Sequence, residues 1–334
     1  MKPNLFEVAT KELSQDGFFT WLLQWANPEN SQYNKELNET AKDFARLLLG
    51  ENDNYIINKV EVWRQWDKID IVVNVNDEFT IAIEDKTNTG DHPNKLMNYK
   101  TTIEKNYNEK RKVFIYLKTG NESISSLNEI KNIGYKIIDR KSILSVINKR
   151  KINNDIFTDF CSNLNKIEND TNSYEKLENI TSNWRTAEGF YVRLEKEMEW
   201  SAWKYVPNEQ GGFLGFWYHF KDINSDNTKV GTIYIQIENA FGNGGITLKI
   251  RFAVDWVKKT SVPILRKIFG EITPVANKYG LTINKPESFR SGKSSALAVV
   301  QGAVEVDDCG NFDLPHFLDV LKRLEQTLNE YSEK

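Results

Sequence analysis

The stretch WDKIDIVVNVNDEFTIAIEDK, residues 66–86, constrains the fold of this chain more than any other. It holds two runs rich in β-branched residues, Ile69–Val75 and Phe79–Lys86, joined by the polar link Asn76-Asp77-Glu78. Apolar runs of strand length around so short a polar link predict a hairpin. Side chains alternate faces along a strand, so Glu84 and Lys86 point one way and Asp85 the other. The hairpin also brings the Asp70 end of the first strand beside Glu84 and Lys86. Two carboxylates and an ammonium then meet at one sheet edge.

The flanking segments supply the rest of a layered domain. Residues 5–25 have helical spacing with an expected interruption near Gly17, and residues 35–49 form a second helix stopped by Gly50. Tyr55–Trp63 is a further strand ahead of the hairpin. After it come a helix at 95–107, a strand at 112–118, a helix at 123–131, a strand at 134–138 and a helix at 140–148. A meander followed by helical crossovers predicts an α/β domain, a mixed sheet flanked by helices, over residues 1–150. Residues 151–183 are polar and helix-prone and read as a bridge. Residues 184–334 change character: Trp184, Trp200, Trp203, Trp217 and Trp256 are five of the chain's nine tryptophans. Strands are expected at 213–220, 230–238, 245–254 and 295–306, and helices at 261–279 and 313–331. This second domain is of α+β type, an accessory domain for recognition, partner binding or dimerisation.

Composition narrows the function classes. Hydrophobic residues make up 40% and charged residues 27%, the balance of a globular chain. No apolar run approaches the roughly 20 residues of a membrane span, and the opening MKPNLFEVATKELSQD lacks the apolar centre of a leader peptide. Cys161 and Cys309 have no zinc-binding spacing and read as buried thiols of a reducing, cytoplasmic setting. The net charge of −3 argues against coating nucleic acid by bulk electrostatics. A local patch remains open, because Lys86 to Lys118 carry eight basic residues against Asp91, Glu104 and Glu109.

Two carboxylates beside a lysine suit hydrolysis of a phosphodiester. That reaction needs developing negative charge neutralised and a nucleophile made near neutral pH. A divalent ion on the carboxylates does both, and the lysine orients the attacking water, helps deprotonate it or stabilises the transition state. Asp70, followed fourteen residues later by Glu84-Asp85-Lys86, resembles the D…(D/E)xK pattern of the PD-(D/E)XK nuclease superfamily. Ile69 stands where that pattern nominally has proline. The opening FEVATKELSQDGFFTWLLQWA looks like a bacterial branch of the superfamily, and Lys95-Leu96-Met97-Asn98-Tyr99 is similar to its Q-L-x-x-Y helix, with lysine replacing glutamine. The resemblance covers roughly residues 1–150. It implies a restriction-endonuclease-like fold and a nuclease using Mg²⁺, with Mn²⁺ able to substitute. It implies Asp70 and Glu84 as metal ligands, Asp85 as a ligand through its backbone carbonyl only, and Lys86 acting on the attacking water. Glu12 on the first helix would complete the site, and Lys95 and Tyr99 would contact substrate. The expected partner is nucleic acid, DNA ahead of RNA, with defence against foreign DNA as a role and no membrane. A homodimer or a partner protein would use the C-terminal domain.

Plainer readings stand beside these. Asp70, Glu84 and Lys86 could be hairpin-end residues in a solvated cross-strand pair, and Glu12 an exposed helix acid. Gln15 and Asp16 read as capping or solvent-facing residues, and Lys95 and Tyr99 equally as ordinary surface. His92, His219 and His316 are scattered, with His92 nearest the motif. The tryptophans of the second domain read as core ahead of base stacking. Ser291-Gly292-Lys293-Ser294 lacks the upstream glycine of a phosphate loop, Glu287 standing near its place, and is rejected as a nucleotide site. The alternative function is a non-catalytic nucleic-acid-binding or protein-interaction module that retains the nuclease fold. Such a module has no need of the complete set of two acids and a lysine.

Overall fold

The computed structural model describes residues 3–333 except 89, 91–92, 108, 210, 226–227, 242–244 and 257, so His92 lies outside the described residues. The chain divides into two compact units, residues 1–122 with 126–170, and residues 123–125 with 171–334.

In the first unit a short helix α1 (Leu5–Val8) precedes α2 (Glu12–Gln24), a 3-10 turn (Pro28–Gln32) and α3 (Lys35–Leu49). The break in the opening helix falls at residues 9–11, and Gly17 continues through α2. A glycine inside a helix costs only about 1 kcal/mol, less than the packed stripe of Phe18, Phe19, Leu22 and Leu23 returns. Asn34 caps α3 through Leu37 N–H, and Gly50 ends it in the left-handed region at φ 81°.

The sheet holds β1 (Val60–Trp66), β2 (Ile69–Val75), β3 (Phe79–Lys86), β4 (Arg111–Lys118) and β5 (Lys136–Asp139) in sequence order. The first three pair antiparallel; β3, β4 and β5 run parallel. The hairpin turn takes left-handed backbone at Asn76 and Asp77, φ 54° and 58°, the twist that tight hairpins prefer. The first strand starts five residues later than expected. The N–H groups of Asn58 and Lys59 donate to the Asn76 side chain instead of a ladder.

Helices α4 (Pro93–Asn106), α5 (Ile124–Asn132), α6 (Arg140–Ile147) and α7 (Asp155–Asn172) complete the order. Ile71, Val73, Ile81, Ile83, Ile115 and Leu117 bury one sheet face against α2, α3, α6 and α7. From α7, Phe157, Phe160 and Leu164 join this core, and Phe160 stacks on Phe18 at 3.6 Å. Val72, Ala82 and Tyr116 bury the other face against Leu96, Tyr99 and Ile103 of α4 and Ile130 of α5. The architecture is thus a mixed five-stranded sheet flanked by helices, as expected for this unit.

The second unit begins with α8 (Leu177–Ser182) and α9 (Trp184–Glu195). Strands β6 (Ser201–Val206), β7 (Phe213–Ser225), β8 (Thr228–Ala240) and β9 (Gly245–Ala253) follow, then α10 (Val262–Lys278), β10 (Ile283–Asn284), β11 (Ser295–Val300) and α11 (Leu314–Ser332). The six strands are antiparallel in the order β10-β11-β9-β8-β7-β6. Residues of α9, α10 and α11 share one core with Leu214, Phe216, Ile233, Ile235, Ile250 and Phe252, so these helices lie on one sheet face. The last strand ends at Val300, short of residue 306, where Gly302 turns the chain at φ 65°. The cysteines depart from the buried-thiol expectation: Cys309 is exposed and Cys161 half-buried, its thiol pushed up to about 12 by desolvation.

Candidate active site

Strand alternation sorts the motif residues. Ile81 and Ile83 enter the core under α2, whereas Val72 and Ala82 enter the core under α4. By that parity Asp70, Glu84 and Lys86 belong to the α4 side and Asp85 to the α2 side. The antiparallel ladder pairs Ile71 with Ile83, which sets Asp70 level with the Glu84 end of β3. The Asp85 N–H donates to Asp70 Oδ2 at 2.9 Å, extending the pairing past the ladder.

Lys86 is the hub of this edge. Its Nζ donates to Glu84 Oε1 and, at 3.1 Å, to the Asp85 backbone carbonyl. It also stands 3.7 Å from Glu12 Oε2 and 3.9 Å from Asp70 Oδ2. Burial works against the Lys86 charge, but the carboxylates of Glu84, then Asp70 and Glu12, outweigh it and hold its pKa above the ordinary lysine value. The lysine is therefore an ammonium at neutral pH.

Three elements deliver the remaining groups. Glu12 opens α2, and its Oε1 accepts from Thr87 N–H at 3.2 Å, fixing it at the end of β3. From α4, Lys95 donates to Glu84 Oε1 at 2.7 Å while lying 5.3 Å from the Tyr99 ring centre. Tyr99 is buried rather than on the surface; desolvation, with the Glu84 charge behind it, raises its pKa. Glu84 is 1% exposed, Lys86 8%, Asp70 16% and Glu12 33%, so the acids are graded from wall to mouth.

The face behind the motif carries a polar layer. Gln15 and Asp16 are buried, not capping or solvent-facing. Gln15 Nε2 donates to Asp85 Oδ1 at 2.5 Å, and Gln15 Oε1 accepts from Thr119 Oγ1 at 2.6 Å. Asp16 neighbours Asp85, and Asp16 Oδ1 and Asp85 Oδ2 are buried oxygens that receive no hydrogen bond from the described residues. Gln65 Nε2 joins this layer to the front by donating to Asp16 Oδ2 at 3.2 Å and Asp70 Oδ1 at 3.1 Å. Desolvation, then the neighbouring Asp16 carboxylate, pushes Asp85 well above the ordinary carboxylate range. Asp16 is raised too, mainly by desolvation. The sequence does carry a signal for this layer. Gln15 stands three and four residues before Phe18 and Phe19, and Asp16 three before Phe19, on the core-facing stripe that Leu22 and Leu23 continue one turn on.

Much of the basic excess between Lys86 and Lys118 is engaged within the domain. Lys118 is buried against Glu122, and Lys110 and Arg111 pair with Asp77 and Glu78. Among the described residues of that run, Lys86 and Lys95 reach the acid cluster.

The donor set has the chemistry a hard divalent ion takes: the carboxylates of Asp70, Glu84 and Glu12 and the Asp85 carbonyl, all oxygen. Each has an oxygen within 3.9 Å of the Lys86 ammonium, so the protein already concentrates negative charge around one cation. Among the described residues no three acidic, histidine or cysteine side chains stand close enough to enclose an ion as they are. The Lys86 ammonium lies between them. Among the described residues, no helix is long and apolar enough to cross a membrane.

Comparison with known families matches residues 3–191 to the model of the PD-(D/E)XK nuclease superfamily. Comparisons with curated proteins and with solved structures found no match.

Proposed function

The chain belongs to the PD-(D/E)XK nuclease superfamily, and from that premise we propose that it hydrolyses DNA with Mg²⁺, replaceable by Mn²⁺, at the edge formed by Glu12, Asp70, Glu84 and Lys86. The observation that carries the reading is the Lys86 ammonium ringed by three carboxylates that arrive from two strands and a helix. A solvated cross-strand pair would not be this buried or draw an acid from α2.

Members of the superfamily generally use divalent metal ions. Here Asp70, Glu84 and the Asp85 carbonyl would hold the ion, which when bound supplies an acidified water and a neutralised phosphate oxygen. Lys86, held cationic by its acids, donates hydrogen bonds: it orients the attacking water and stabilises charge growing on the phosphoryl oxygens. Lys95, less buried and on the same Glu84 oxygen, is set to meet a substrate phosphate. Gln65 and the Asp85 N–H keep the Asp70 carboxylate in one orientation. DNA is taken ahead of RNA, and defence against foreign DNA as the role, on the resemblance of the opening helices to bacterial members.

The test is cleavage of plasmid, single-stranded DNA and RNA with Mg²⁺, with Mn²⁺ and with chelator. Cutting that needs the ion and is lost in Lys86→Ala supports the proposal. Wild type and Lys86→Ala behaving alike on every substrate refutes it and leaves a binding module with a nuclease fold.

A further inference from the structure

The second unit keeps its helices on one sheet face, and the opposite face carries a cluster of rings outside that core. Phe220 stacks on Tyr234 at 4.8 Å and 13°. Trp256 lies 5.4 Å from Tyr234, and Trp200 lies 5.4 Å from Phe220. Trp200 is 54% exposed and Trp256 47%, whereas Trp203, which packs in the helix-covered core, is 8% exposed.

The backbone is bent to build this cluster. Phe220 has the parity of Leu214, Phe216 and Tyr218, which would send it into the core. A bulge between Tyr218 and Lys221 inserts one extra residue against β8 and reverses the alternation. The residue at the bulge, His219, sits in left-handed backbone at φ 54°, and Trp256 does the same at φ 64°. Bulky residues in that region cost conformational energy and persist where the surrounding structure holds them. Both strained positions serve the ring cluster: one turns Phe220 outward, the other carries the exposed indole.

The Trp256 side of the cluster is cationic, whereas Glu197, Glu199 and Glu325 stand with Lys221 around Trp200 and Phe220. Residues 249–259 and 285–293 hold seven lysines and arginines against Asp255 and Glu287, in a chain that has 44 basic and 47 acidic residues overall. These segments meet at the cluster: Thr260 N–H donates to Gly292 O at 2.9 Å, and Ser294 Oγ hydrogen-bonds the Tyr234 hydroxyl. Lys258, Lys259, Arg290 and Lys293 on them are exposed. Lys249 and Arg251 are half-buried and lean on Glu238, and the exposed Lys258 pairs with Asp255 at 3.4 Å.

We propose that this open face binds single-stranded nucleic acid, its bases stacking on Trp200, Phe220 and Trp256 and its phosphates meeting the lysines and arginines of the two flanking segments. Ring faces take any unpaired base, and cations beside them follow the backbone. A duplex, whose bases are already stacked, has no use for the rings. The assignment concerns a surface of the second unit and stands whether or not the first unit cleaves.

The test uses the full chain in chelator, so that no cutting intervenes, and a fluorescein-labelled oligo(dT) of about 20 nucleotides, longer than one such platform covers. Binding with quenching of tryptophan fluorescence, and weaker binding of a duplex of the same length, is expected. Trp256→Ala weakens binding by about tenfold or more, while Trp256→Phe keeps most of it. Lys258→Ala with Lys259→Ala lowers the slope of log affinity against log salt by about one for each phosphate no longer neutralised. Unchanged oligonucleotide binding by the Trp200→Ala, Trp256→Ala double variant overturns the assignment. So does tighter binding of the duplex, or a concentration-dependent dimer abolished by the same variant, which makes a second copy the occupant.

Discussion

Replacing Asp85 by asparagine should stabilise the first unit, and increasingly so as pH rises. In the wild type Asp85 is fully buried against Asp16, with Gln15 Nε2 on its Oδ1. Both acids have raised pKa values, Asp85 well above its ordinary 3.8. The folded chain therefore holds protons that the unfolded chain releases. Their contribution to stability is fully present below about pH 4 and is lost as pH climbs through the raised values. Asparagine has the same shape, still accepts from Gln15 and offers an N–H to an ionised Asp16. A hydrogen bond to a charged group contributes about 1.5–3 kcal/mol, so the gain above neutrality should be of that order and vanish near pH 4. For a unit of this size that corresponds to about 3–12 °C in Tm. Thermal melts of both proteins from pH 4 to 8 measure it, with unfolding of the first unit as the readout. A difference that is flat in pH, or a destabilised Asp85→Asn at every pH, refutes the account of raised carboxyl pKa values in this layer. Cleavage by the variant should stay within about a factor of ten, because the substituted atom lies behind the sheet, away from the reacting groups.

Three further perturbations probe separate links. Gly120→Ala would place a Cβ 2.1 Å from the Thr87 carbonyl oxygen, in the segment whose N–H holds Glu12; a destabilisation of about 1–3 kcal/mol with falling cleavage is expected from urea titration and activity together. Glu195, raised to about 6 chiefly by burial, contributes stability that is lost as pH rises through 6, so Glu195→Gln should gain on the wild type by about 1–2 kcal/mol above pH 7, read from melts of the second unit. Lys95→Met should weaken substrate binding about tenfold in a filter assay with chelator while leaving Lys86 on Glu84.

The sequence reveals the sheet edge well because strand alternation has a period of two and admits few alternatives. Ile69–Val75 and Phe79–Lys86 are strands with the bounds expected. Features outside that rule are harder to see. Phe220 cannot be assigned a face from parity, since one bulge residue inverts it. Gln15 and Asp16 look solvated by type, yet helix phase puts them on the buried stripe, and their partners Gln65, Asp85 and Thr119 come from 49 to 104 positions away. The 3-10 turn, the break at residues 9–11 and the strand β6 come from local hydrogen bonds and tertiary pairing rather than from apolar periodicity. The ammonium ringed by carboxylates needs the fold as well. The spacing of Asp70, Glu84 and Lys86 suggests it, but Glu12 joins only because α2 starts beside Thr87.

The most direct test of metal-dependent cleavage at this edge is the single-turnover rate on DNA in Mg²⁺ for wild type, Asp70→Asn, Glu84→Gln and Lys86→Ala, each shown to be folded by its melt. The wild type should cut and chelator should abolish the cutting, with a fall of about a hundredfold or more in every variant. Cutting that persists in chelator, or that survives all three substitutions, contradicts the assignment.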